Sequence, residues 1–140
     1  MRFVQQSQTE RQQQLAHVAS HLVPGGVAVF LEKMNQEDPL DYQRRETAKD
    51  SLFKTRYFSV EEIDWKTRNF LLDMVHGQVT VQQFERAAAH HFAHIRVIWH
   101  STNFYEIAAS NDLTSLEDFC NRLGPIANED AFVFDQVDAS

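Results

Sequence analysis

The stretch from Leu22 to Leu31, which reads Leu-Val-Pro-Gly-Gly-Val-Ala-Val-Phe-Leu, constrains the fold more than any other part of the sequence. Apolar residues before it recur at helical spacing and predict an amphipathic helix from Gln8 to Leu22. The proline ends that helix, and the two glycines can take positive φ, so we expect a tight reversal. The apolar run that follows predicts a strand, and its unbroken apolarity predicts burial on both faces, as in a parallel strand of an α/β sheet.

The next segment, from Asp38 to Val75, is rich in charged and aromatic helix formers and predicts helical structure. A break is expected between Arg56 and Ser59, because Ser59 and Glu62 have the spacing of a capping box that starts a second helix. The segment is therefore predicted to form two helices in succession.

The C-terminal third predicts one more helix, a hairpin and a short final helix. Thr80 and Gln83 form a second capping-box pattern. The predicted elements are a helix over 81–91, strands over 95–99 and 104–109 joined by a short turn, and a helix over 115–123 before an acidic tail.

Composition limits the classes of function. The chain has 140 residues, 43% hydrophobic, and a formal net charge of −7, which disfavours broad binding to nucleic acid. Cys120 is the single cysteine, so it cannot form an internal disulfide. No apolar run approaches about 18 residues, so we expect a cytoplasmic protein with no membrane role.

The predicted helix, the turn from Leu22 to Gly26 and the buried strand together resemble the class I S-adenosylmethionine-dependent methyltransferases. In that family such a turn leads into the fifth strand of a seven-stranded sheet. The segment from Met1 to Val4 resembles the end of the preceding strand. The stretch from Thr80 to Asn111 is similar to the last helix and the antiparallel sixth and seventh strands.

This resemblance implies an α/β fold. The expected architecture is a partial Rossmann-like methyltransferase sheet, made of the last three strands with the final pair as an antiparallel hairpin, together with a helical insertion. Residues 1–112 would form the C-terminal part of a methyltransferase domain. Residues 113–140 would add a short helix and an acidic tail.

The resemblance also implies S-adenosylmethionine as cofactor, methyl transfer to an unidentified small-molecule acceptor, and classification as a transferase. The four glycines form no cofactor-binding turn, so the main binding loop is absent from this sequence. We therefore expect a fragment of a methyltransferase that is incomplete alone. Its expected partner is a missing N-terminal half or a second copy in a homodimer.

Candidate substrate-binding residues lie in the insertion. They are Arg45, Arg56 and Tyr57, with Arg44. The arginines suit a carboxylate or phosphate, because guanidinium groups bind such groups bidentately, and the tyrosine can stack on a ligand or donate a hydrogen bond to it. The alternative is that these side chains are solvated on an exposed helix. Phe3 is the candidate cofactor neighbour, with core packing as its alternative. No catalytic residue stands out, because methyl transfer from a sulfonium depends mainly on positioning and desolvation.

Two other interpretations of the whole chain remain open. In the first, the helices from Asp38 to Val75 form a non-catalytic interaction or dimerisation module. In the second, the chain resembles carboxy-S-adenosylmethionine synthase, a methyltransferase-like enzyme of tRNA modification, through Arg2-Phe3-Val4, Pro24-Gly25-Gly26, Glu32-Lys33 and the segment from Arg56 to Ser59.

A histidine cluster invites a metal interpretation, but no metal site is assigned. His90 and His94 stand four residues apart, yet no glutamate follows the first histidine as in H-E-x-x-H. Packing and capping at a helix end are the alternative role for these histidines, together with His91.

Overall fold

The structure, a computed structural model, describes residues 8–71 and 77–123. These residues form a mixed α/β fold with five α-helices and three strands. In chain order the elements are α1 (Gln8–His21), β1 (Val27–Lys33), α2 (Pro39–Leu52), α3 (Val60–Lys66), α4 (Val81–Ala88), β2 (His94–Ser101), β3 (Phe104–Ser110) and α5 (Leu113–Leu123). A 3₁₀ turn (Lys54–Arg56) follows α2, and a π-helical segment (Thr67–Leu71) follows α3.

Some predictions lie outside the described residues. They are the strand end expected from Met1 to Val4, the cofactor contact at Phe3, the end of the second insertion helix beyond Leu71, and the acidic tail after Leu123. Within residues 8–71 and 77–123, no helix is long and apolar enough to cross a membrane.

The three strands form one sheet in the order β1-β3-β2, and both neighbouring pairs are antiparallel. The β1–β3 register runs from Val27 opposite Ser110 to Lys33 opposite Phe104. Because β1 and β2 are each antiparallel to β3, they run in the same direction, and their carboxyl ends lie at one edge of the sheet. The predicted β2–β3 hairpin is confirmed, and the observed strands are slightly longer than predicted.

The main core lies on one face of this sheet, between the strands and helices α1 and α4. Its fully or nearly buried members are Leu15, Ala28, Met34, Phe84, Ala88, Phe92, Tyr105, Ile107 and Ala109. The ring of Phe30 meets those of Phe84 and Phe92 edge to face, with centroids 5.5 and 6.0 Å away. Each such aromatic pair contributes about 0.5–1.5 kcal/mol beyond its buried area.

The opposite face of the sheet is covered only in part by the described residues. Helix α5 buries Leu116 completely and joins β2 through an ion pair between Arg96 and Glu117. On the same face of β1, however, Val29 is 46% and Leu31 62% exposed. The prediction that β1 is buried on both faces is therefore wrong. The physical reason is that α5 starts just beyond β3 and does not extend over the carboxyl-terminal half of β1.

The local signals for turns and helix starts are largely confirmed. Gly25 has φ +75°, and the Gly26 amide donates to the Val23 carbonyl at 2.8 Å, which closes the predicted reversal. Capping boxes form at both predicted positions, Ser59 with Glu62 and Thr80 with Gln83. Helix α4 ends earlier than predicted, because residues 89–91 form a turn rather than a last helical turn.

Candidate functional site

Among residues 8–71 and 77–123, buried polar side chains are concentrated where β1 and β2 end and helix α2 packs across the sheet edge. We name this group the edge cluster. Its members are Lys33, Gln36, Asp41, Arg45, Glu46, Lys49, His100, Asn103 and Tyr105. Charged side chains are costly to bury, and clusters of them with shifted pKa values are common at functional sites. We therefore take the edge cluster as the candidate functional site.

Helix α2 brings its charged residues into the cluster by helical periodicity. The Asp38 side chain caps the helix by accepting from the Leu40 amide at 2.9 Å, and proline occupies the first helical position. Residues 41, 45 and 49 recur every four positions, so their side chains lie along one side of the helix. This helix thus packs a charged surface, rather than an apolar stripe, against the sheet edge.

Glu46 lies at the centre of the cluster and is only 2% exposed. Its Oε1 atom accepts from Asn103 Nδ2 at 2.8 Å and pairs with Lys33 Nζ at 3.0 Å. Its Oε2 atom pairs with Lys49. Burial alone would raise the pKa of the Glu46 carboxyl, but these hydrogen bonds and the two ammonium charges lower the pKa below its ordinary value. Glu46 is therefore ionised although it is buried.

Lys33 has an unusually low proton affinity for a lysine. Burial and the nearby charge of Lys49 lower the pKa of Lys33 to about 8, although Glu46 opposes the shift. The ammonium group lies 6.0 Å from the ring centroid of Tyr42 and 5.8 Å from that of Phe104. Burial and the Glu46 charge also raise the pKa of Tyr42 to about 12, so its hydroxyl stays neutral.

Arg45 joins helix α2 to the β2–β3 hairpin. Its Nε donates to Asp41 Oδ2 at 3.0 Å, and its Nη1 lies 3.0 Å from both His100 Nε2 and the Thr102 carbonyl oxygen. A guanidinium only donates, so His100 Nε2 accepts and the ring carries its proton on Nδ1. The imidazole also stacks on the Tyr105 ring at a centroid distance of 4.5 Å and an interplanar angle of 6°.

The turn between β2 and β3 supplies the second half of the cluster. Thr102 has φ 54°, a left-handed conformation that a β-branched residue rarely adopts. The next residue, Asn103, is fully buried, and its Oδ1 accepts from Gln36 Nε2 at 3.2 Å. The Met34 amide donates to the Asn103 carbonyl at 2.7 Å. The strained turn is thus held in place by the segment that follows β1 and, through Glu46, by α2.

The edge cluster is positively charged in a chain that is negative overall. Three cationic side chains, Lys33, Arg45 and Lys49, face two carboxylates, Asp41 and Glu46. Hydrogen bonds from Arg44 lower the pKa of Asp41, and Arg45 adds to this effect, although burial opposes it. These charges are paired with one another, and the excess of one positive charge favours a negatively charged ligand beside the cluster.

The structure separates the candidate substrate-binding residues. Arg45 lies in the edge cluster, where it is buried and serves as a structural connection. Arg44 is more exposed and pairs with Asp41 at 2.7 Å. Arg56 and Tyr57 lie at the 3₁₀ turn after α2, outside the cluster, and Tyr57 is 81% exposed.

Sequence reasoning missed most of the edge cluster. No sequence motif assigns four of its members to a site: Lys33, Glu46, Lys49 and His100. The available signal was the spacing of opposite charges on α2, with pairs at i,i+3 and i,i+4. That spacing also fits a solvated helix, which is the alternative given above for the arginines of this segment.

The histidines after α4 do not assemble a metal centre in the part of the chain that the structure describes, where no group of three or more His, Cys, Asp or Glu side chains is placed to hold an ion. His91 Nε2 donates instead to Gln12 Oε1 at 2.8 Å and so connects α4 to α1. This contact fits the helix-end packing role.

Comparisons of this chain with protein-family models, with curated proteins and with solved structures gave no match. The case for a function rests on the sequence motif, the order of elements and the geometry of the edge cluster.

Proposed function

We propose that this chain is the C-terminal part of a class I S-adenosylmethionine-dependent methyltransferase, a cytoplasmic enzyme, and that it supplies the substrate-facing side of the domain. The observation that carries the proposal is the sheet. A helix, a glycine turn and β1 precede a helical insertion and an antiparallel hairpin, and β3 of that hairpin pairs with β1. This arrangement agrees with the last three strands that the resemblance implies.

The exposed parts of the sheet support the same proposal. In the part of the chain that the structure describes, β1 pairs on one side only, with β3, and its other edge bears no strand. Val29 and Leu31 beside that edge are exposed apolar residues. Exposed strand edges and apolar sheet faces favour association. The first strands of a methyltransferase domain would extend the sheet at this edge.

The described residues do not by themselves fit S-adenosylmethionine. They contain no glycine-rich loop of the kind that holds the cofactor in this family, and no step of methyl transfer is derived from them. Their role in the proposal is to bind and orient the acceptor. The edge cluster lies at the carboxyl end of β1, and its positive charge suits an acceptor that carries a carboxylate or phosphate.

The experiment is a calorimetric titration with S-adenosylhomocysteine of the chain alone and of the chain co-expressed with the first four strands of a class I methyltransferase. We expect saturable binding only in the co-expressed sample. Leu31→Lys should abolish that binding, because it places a charge on the sheet face that the added half covers. Val60→Lys, at an exposed apolar position of α3, is the matched control. Absence of binding in both samples would refute the proposal.

One observation favours the second candidate function, a non-catalytic interaction or dimerisation module. The insertion exposes large apolar side chains at Tyr57, Phe58, Val60 and Trp65. Clusters of exposed aromatic residues are typical of protein-binding surfaces. A molar mass that rises with concentration by light scattering, and falls to the monomer value in Tyr57→Ser, would support this module. A concentration-independent monomer would contradict the dimerisation form of it.

A narrower version of the proposal is a carboxy-S-adenosylmethionine synthase-like enzyme of tRNA modification. The segment from Arg56 to Ser59, which carries part of that resemblance, forms the junction between α2 and α3. Arg56 is exposed there, where a ligand could reach its guanidinium. In the co-expressed sample, Arg56→Gln should weaken binding of a carboxylated cofactor analogue while leaving S-adenosylhomocysteine binding unchanged.

A further inference from the structure

A second polar site lies between helices α1 and α4, on the helical layer that covers the core. It is a cleft of about 300 Å³. The described residues that line it are Arg11, Gln12, Val79, Gln83, Arg86, Ala87 and His90. None of these residues belongs to the edge cluster. We name this feature the helical cleft.

The walls of the helical cleft are basic. Arg11, Arg86 and His90 contribute cationic or proton-binding groups, and no carboxylate is present among the described residues of the lining. Arg86 lies in the last turn of α4, and His90 lies in the turn that follows it, so both are at the carboxyl-terminal end of this helix. A basic cleft in a chain of net charge −7 is a local reversal of sign that attracts anions.

The cleft is also held in a fixed shape. Gln12 bridges its two helices, because its Nε2 donates to the Ala87 carbonyl at 3.4 Å and its Oε1 accepts from His91. Arg11 is nearly buried, and its guanidinium carbon lies 5.8 Å from the ring centroid of Phe84. A fixed wall reduces the entropy that is lost when a ligand binds.

A carboxylate outside the lining of the cleft interacts with Arg11. Burial raises the pKa of the Glu32 carboxyl, and the charge of Arg11 opposes this shift, so these two groups lie within electrostatic reach of each other. Arg86 is exposed, and its Nε donates to the Gln82 carbonyl of its own helix at 3.4 Å. The Arg86 guanidinium is therefore accessible to a ligand from solvent.

We propose that the helical cleft binds a small polyanion that carries two or more phosphate or carboxylate groups. Guanidinium groups hold such groups through paired hydrogen bonds, and Arg11 on α1 lies opposite Arg86 and His90 at the end of α4, so two anionic groups can be contacted together. This site is independent of methyl transfer.

The test is a calorimetric titration of the full chain with inorganic pyrophosphate and, separately, with citrate. We expect saturable binding of at least one of them. Pyrophosphate alone would identify phosphate recognition, and citrate alone would identify carboxylate recognition. Arg86→Gln should weaken binding at least tenfold, and His90→Gln should weaken it severalfold. Arg122→Gln, an exposed arginine that pairs with Asp118 on α5, is the matched control and should bind as the unaltered chain does.

Two results would overturn the proposal. One is the absence of saturable binding of either anion. The other is an equal loss of affinity in Arg86→Gln and Arg122→Gln, which would indicate general charge attraction rather than a site. Arg86 and Arg122 are both exposed on helices. Circular dichroism of each variant checks that it folds. S-adenosylhomocysteine binding in the co-expressed sample should be unchanged in Arg86→Gln. The result for the helical cleft is therefore independent of the result for the methyltransferase proposal.

Discussion

Replacing the central carboxylate of the edge cluster should destabilise the protein strongly. Glu46→Gln keeps the size of the side chain but leaves the two ammonium groups of Lys33 and Lys49 without their shared counter-ion. Removing one partner of a buried ion pair costs about 3–5 kcal/mol. The glutamine oxygen can still accept from Asn103, so we expect a loss of about 3 kcal/mol. Total stabilities of about 5–15 kcal/mol would leave the variant folded at neutral pH.

The assay is urea unfolding at pH 7 followed by circular dichroism. The matched control is Glu117→Gln, which removes a glutamate from an exposed ion pair with Arg96 and should cost less than about 1 kcal/mol. Adding Lys49→Met to Glu46→Gln should recover part of the loss, because one of the uncompensated charges is then gone. A loss below about 1 kcal/mol for Glu46→Gln, or a further loss on adding Lys49→Met, would refute the reasoning.

The same variant has a pH signature. Burial lowers the pKa of Lys33 to about 8, and the Glu46 charge is among the effects that keep it from falling further. In Glu46→Gln the folded state therefore releases the Lys33 proton closer to neutral pH, whereas the unfolded state keeps it. Since the unfolded state then binds more protons, stability rises with pH. The unaltered protein also releases this proton above about pH 8, so the deficit of the variant should narrow as the pH rises toward about 8 and stay constant above it.

Three further predictions concern the sheet edge and the acidic groups. Arg45→Lys should lower the free energy of unfolding by about 2 kcal/mol, because one ammonium cannot make all the hydrogen bonds of the guanidinium. Arg44→Lys should change the free energy of unfolding by less than about 0.5 kcal/mol, and urea unfolding compares the two variants. Leu31→Lys should raise the solubility of the chain alone without lowering its melting temperature, as light scattering and a thermal melt would show. Folding lowers the pKa values of Asp41 and Glu46 from their ordinary values of 3.8 and 4.5. The two carboxylates therefore stabilise the folded state above those ordinary values, and this contribution is lost as the pH falls through the folded-state pKa. The urea concentration at the unfolding midpoint should be lower at pH 3 than at pH 7.

Local structure could be predicted well from the sequence because its signals act over a few residues. The glycine reversal and both capping boxes depend on hydrogen bonds between residues at most three apart, and all three are observed. The burial of β1 was predicted wrongly, because an apolar run indicates what a strand could bury and not what covers it. The exposure of Leu31 is decided by the position of α5.

The edge cluster could not be predicted because its partners are far apart in the sequence. Charges spaced by three or four residues on α2 fit both a solvated helix and a buried polar surface. The turn at Thr102 and Asn103 decides between them, since it supplies a carbonyl oxygen and an amide that only a folded hairpin brings to the helix. Neither the residue types of the turn nor their distance from α2 in the sequence predicts this contact.

The separation of those partners also bears on the order in which the protein folds. The hydrogen bonds that join α2 and Gln36 to the hairpin span 55 to 69 positions of the chain. A two-residue hairpin forms on the microsecond scale, roughly 1–10 μs, whereas contacts over such distances require the closure of long loops. The hairpin should therefore be complete before the edge cluster exists. Protection of the Asn103 side-chain amide from hydrogen exchange would then report the last step of folding, when the helix docks onto a turn that is already formed.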